Sequence, residues 1–88
     1  MKHYQLSGER FSNRHKAYQY LSDVFSFPEY TGKNLDALWD ALSDLAPFHL
    51  TLVNGRALPK NLQEYGLSML DLFADLSEEF EGVFELHW

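Results

Sequence analysis

The chain has 88 residues, of which 45% are apolar and 16% aromatic, with no cysteine and a net charge of −6. That length gives one domain, residues 1–88, of a size that buries only roughly 60% of the surface its unfolded chain exposes. Without cysteine there are no disulfide staples and no thiolate-bound metals, and the acidic balance argues against a phosphate backbone as partner, which needs clustered Lys and Arg. That balance favours a basic partner or no charged partner at all, and on charge alone the acidity can simply serve solubility. No apolar run is long enough to span a membrane, and Met1-Lys2-His3-Tyr4-Gln5-Leu6 turns polar at once, so a cytoplasmic protein is expected.

In chain order, His3–Leu6 reads as a short strand closed by Ser7-Gly8. Ser12-Asn13 can cap a helix running to Phe25, because Ala17, Tyr18, Leu21, Val24 and Phe25 recur at three- and four-residue steps. Pro28 stops it, and Glu29-Tyr30-Thr31-Gly32 forms a loop with a flexible glycine. A second helix runs from Lys33-Asn34 to Leu45 with an apolar stripe of Leu35, Leu38, Leu42 and Leu45, and Pro47 ends it. Phe48 to Asn54 reads as a buried strand. Residues 56–66 read as irregular, with a helical turn after Pro59. A third substantial helix is predicted from Ser68 to Phe80, with Met69, Leu70, Phe73, Leu76 and Phe80 on its core face. Gly82 breaks it, and Val83–Trp88 is a terminal strand. Strands separated by helices cannot pair as hairpins. The expected fold class is therefore α/β, a small three-stranded parallel sheet packed with helices.

The segment Phe27 to Asp40 carries the functional signal. On a helical wheel Asp36 and Asp40 lie four residues apart, one above the other and opposite the Leu stripe, with Trp39 between. The preceding loop brings Tyr30 to the same helix end. Like charges at that spacing repel by a few tenths of a kcal/mol, and Asp is a weaker helix former than Glu. Both aspartates are thus locally suboptimal, as is expected at functional sites, although a solvated helix face beside a core-edge Trp accounts for the same pattern. A helix dipole rewards Asp36 near the N-terminus more readily than Asp40.

The run Pro28-Glu29-Tyr30-Thr31-Gly32-Lys33-Asn34-Leu35-Asp36-Ala37-Leu38-Trp39-Asp40 resembles the signature of the barstar family, inhibitors of barnase-type ribonucleases. The likeness extends more loosely upstream to Leu6-Ser7-Gly8-Glu9 and weakens beyond Leu45. It implies a barstar-like fold and a non-catalytic inhibitor that docks the second helix and its preceding loop into the active site of a small basic, guanyl-specific ribonuclease. In that mode acidic side chains meet the cations that would hold the RNA phosphate. By position, Asp40 is the central phosphate mimic and Asp36 and Tyr30 are major contacts. Gly32, Asn34, Leu35 and Trp39 line the interface. A later acid on the long third helix also contributes in the family; Asp75 matches best, with Asp71 and Glu78 as alternatives. Two positions depart from the pattern. Thr31 stands where Tyr is frequent, and Lys33 stands where an acid is frequent, placing a positive charge at the contact edge.

Other classes have less support. Asp36 and Asp40 could be paired carboxylates for acid–base work with His15, His49 or His87, but no histidine lies at a motif spacing to either. No metal-ligand spacing, phosphate loop or nucleophile elbow is present, so no cofactor, metal or catalytic residue is expected. Arg10, Arg14 and Lys16 are a modest basic patch on an acidic chain, and Tyr18, Tyr20, Phe25 and Phe27 sit mostly at core spacing. Neither a nucleic-acid nor a membrane partner is expected. The alternative is a barstar-fold interaction protein whose acidic face binds another basic protein. Trp88 could cover the sheet, contact another chain or stay exposed.

Overall fold

The computed structural model describes residues 1–88. Three strands, β1 (Lys2–Ser7), β2 (Phe48–Val53) and β3 (Val83–Leu86), form one parallel sheet in the order β1-β2-β3. Helices α1 (Arg14–Phe25) and α2 (Leu35–Leu45) connect β1 to β2, and α3 (Ala57–Leu62) and α4 (Glu64–Glu79) connect β2 to β3. His3 pairs with His49 and Leu6 with Leu52, while Leu50 pairs with Phe84. This is the α/β fold with a small three-stranded parallel sheet that the alternation of helices and strands predicts.

Local chemistry sets the boundaries. Asn13 caps α1 by accepting from the Lys16 amide at 2.9 Å, satisfying one of the free N–H groups at a helix start. The helix ends at Phe25, where Ser26 turns left-handed and Phe27 donates back to the Ser22 carbonyl. α2 ends at Leu45 because Ala46 precedes Pro47 and is forced into extended backbone.

β2 alternates buried Phe48, Leu50 and Leu52 with half-buried His49, Thr51 and Val53, so the core lies against one face of the sheet. Its 18 buried apolar side chains include Leu6, Phe11, Leu21, Leu38, Leu42 and Phe73, and no polar or charged residue is buried. All 13 acids are therefore left on the surface.

Three expectations need correction. Residues 56–66 are mostly helical, because Leu58 and Leu62, one turn apart, bury into the core and hold α3 in place. The long helix starts at Glu64, not Ser68, and includes Gly66. A Cβ there would lie 2.2 Å from the Leu58 carbonyl oxygen, so this glycine marks a close crossing of α3 and α4 rather than a helix boundary. The last strand ends at Leu86; beyond its ladder, the His87 amide donates to the Leu52 carbonyl at 2.8 Å and the Gly55 amide to the His87 carbonyl at 2.8 Å. Trp88 is 53% exposed, and its carbonyl accepts from the Arg56 amide and the Arg56 Nε.

Candidate functional site

The site is built at the start of α2. Asn34 caps the helix, its side-chain oxygen accepting from the Ala37 amide at 2.8 Å. The loop ahead of it turns at Thr31, whose amide donates to the Pro28 carbonyl at 3.0 Å. The sequence suggests that Gly32 serves flexibility, yet its φ is not in the left-handed region. Its use is proximity, since a Cβ would sit 3.1 Å from the Ala37 Cβ and 3.2 Å from the Asn34 Nδ2. The loop thus lies tight against the first turn, and Tyr30 projects from it with 90% of its surface exposed.

Leu38 and Leu42 anchor the inner face of α2 in the core, which turns Asp36 and Asp40 outward. Trp39 is half-buried beside them and packs against Phe80 at the end of α4, ring centres 6.2 Å apart. Neither aspartate pairs with an Arg or Lys. The Glu85 carboxylate lies 3.0 Å from His49 Nε2 and 3.6 Å from His87 Nε2, so these two histidines face Glu85 and not the α2 carboxylates. Arg10 and Arg14 lie over the rings of Tyr20 and Tyr65. No group of three or more His, Asp and Glu is placed to hold a metal ion.

The two aspartates open onto different clefts on either side of the α2 ridge. Asp40 borders a cleft of about 320 Å³ with Tyr30 and Gly32, walled by Phe25, Phe27 and Leu45. Asp36 borders one of about 340 Å³ between α2 and α4, with Leu35, Trp39, Asp71, Leu72 and Asp75. The α4 side continues past Trp39 and Asp75 to Glu78 and Glu79. Asp75 borders both of these hollows, whereas Asp71 and Glu78 each border one.

Seven of the eight residues singled out from sequence thus line clefts around α2. Asn34 instead spends its side-chain oxygen on the cap. Residues that the sequence reading did not select also line them, notably Asp44, Phe27 and Ser68. Asp44 continues the four-residue spacing of Asp36 and Asp40, so periodicity would have found it. Ser68 comes from distant sequence, and nothing local points to it.

Together α2 and α4 carry eight of the 13 acids and no Lys, Arg or His. Such a surface, with a large tyrosine and a braced tryptophan, is suited to meet a cationic surface.

Residues 1–86 match the sequence profile of the family described as Barstar (barnase inhibitor). The chain is also 34% identical over 83 residues to the Bacillus subtilis (strain 168) protein named "Putative ribonuclease inhibitor YrdF", a match covering 92% of this chain and 91% of that one. The family consists of inhibitors rather than enzymes, and by the extent of both matches this chain is a member of the barstar family.

Proposed function

We propose that this protein binds a small basic, guanyl-specific ribonuclease of the barnase type in the cytoplasm and blocks its active site with the exposed face of α2. The carrying observation is that Asp36 and Asp40 stand exposed on a core-anchored helix with no internal cation to neutralise them. Nuclease cations that hold RNA phosphate would meet these carboxylates instead. Tyr30 and Trp39 supply apolar area around the charges, and Asp75 extends the negative surface across the α2–α4 cleft. Gly32, Asn34 and Leu35 shape the loop–helix junction against which the partner rests.

The test is titration of the protein into barnase while RNA cleavage is followed. Stoichiometric loss of cleavage is expected. Asp40→Ala should weaken binding by at least about 2 kcal/mol, as loss of a central anchor does, with the fold retained. Equal inhibition by the variant would reject Asp40 as the anchor. Lys33, exposed at the edge of this face, favours one second reading: an acidic face fitted to a different basic protein. Undiminished RNA cleavage in the presence of folded, micromolar protein would support that reading.

A further inference from the structure

Asp44 shares the Asp40 cleft and is absent from the functional set drawn from sequence. Three placements work against it. It stands four residues after Asp40, where like charges repel. It sits in the last turn of α2, where the helix dipole disfavours an anion and no basic residue compensates. It is exposed and forms no ion pair. Solubility does not require a carboxylate at this spot, since the same helix face already carries two.

The cleft has a definite chemistry. One wall is the half-buried Phe27, whose ring stacks on the buried ring of Phe25 with centres 5.6 Å apart and planes inclined by 12°. Ala41 and Leu45 add apolar surface from α2, and Asp40 and Asp44 border it. The aromatic surface of Phe27 beside two carboxylates matches a planar guanidinium on an aliphatic stem better than a compact, strongly hydrated ammonium.

Resting on the inhibitor reading above, we infer that this cleft receives an arginine side chain of the basic partner and that Asp44, with Asp40, is its counter-ion. Asp44 then sets specificity. It selects among basic partners those that can place an arginine between Asp40 and Asp44. Continuity with the proposed contact face and charge complementarity identify the occupant.

The cleft can be tested without any nuclease. Amide resonances of the full chain are followed by NMR during titration with N-acetylarginine amide or N-acetylnorleucine amide. The arginine compound is expected to shift Phe27, Ala41, Asp44 and Leu45 saturably and the norleucine compound is not. Asp44→Asn should abolish those shifts, and Asp36→Asn should leave them. Shifts absent at these positions, or unchanged in Asp44→Asn, would overturn the inference. Against barnase, Asp44→Asn is expected to weaken binding about tenfold or more while remaining as stable as the parent; an unchanged Kd would count against Asp44 as a contact. Failure of the unsubstituted chain to bind barnase would instead strike the inhibitor reading, and the arginine titration would still decide the cleft.

Discussion

Single side chains at the α2 start carry either the fold or the proposed contact, and substitutions can separate the two. Asn34 is a cap, so Asn34→Ala should cost about 1 kcal/mol of unfolding free energy, measured by denaturant titration. Asp40 has no internal partner, so its removal should spare stability and weaken only the complex. Tyr18 makes a different kind of prediction. Burial, and then its hydroxyl contact with Tyr65, hold its proton well above the ordinary phenol range. The folded chain keeps that proton while the unfolded chain releases it near pH 10, so the stabilisation is complete below about pH 10 and declines as pH rises further. Tyr18→Phe should flatten this alkaline decline; an identical stability–pH slope in the variant would show that Tyr18 is not its source.

Elements explain why some features are legible in sequence and others are not. α1 and α2 are readable because each has an asparagine cap, a helical apolar period and a proline beyond its end, all within a short stretch of sequence. α3 is not readable in this way. Its six residues include Pro59, and it is held by burial of Leu58 and Leu62 against distant parts of the chain. Gly66 misleads for a related reason. Locally it resembles a break, but the fold uses it where the α4 backbone passes the Leu58 carbonyl. In an isolated helix Gly→Ala stabilises by about 1 kcal/mol. In this chain Gly66→Ala should destabilise by about 1–3 kcal/mol, because backbone must shift to admit the methyl group. A raised denaturation midpoint would contradict that close packing.

Across the whole molecule the charge is unevenly spread. Within a net charge of −6, α2 and α4 contain no basic residue, and seven of their eight acids border the clefts around α2 and α4; Glu64, next to the Tyr65 ring on which Arg14 lies, does not. A field of this kind speeds encounter with a basic partner more than it slows departure. Raising salt from about 0.01 to 0.15 M shortens the screening length from about 30 to about 8 Å. The association rate with barnase should therefore fall severalfold over that range in stopped-flow measurements, while the dissociation rate changes less. A salt-independent association rate would remove charge mimicry as the basis of recognition.

The sequence alone determined the three parallel strands, the two helices before β2 and the outward position of Asp36 and Asp40, because these depend on period and chain breakers. It also carried the resemblance to the barstar family through the run from Pro28 to Asp40. Only the tertiary structure decided that the two aspartates open onto separate clefts, that Asp75 approaches Trp39, and that Phe27 and Asp44 share a wall and rim with Asp40. The physical reason is distance along the chain. Helical spacing fixes which side of one helix a residue takes, but the clefts form where α2 meets the preceding loop and α4, through packing no local pattern encodes.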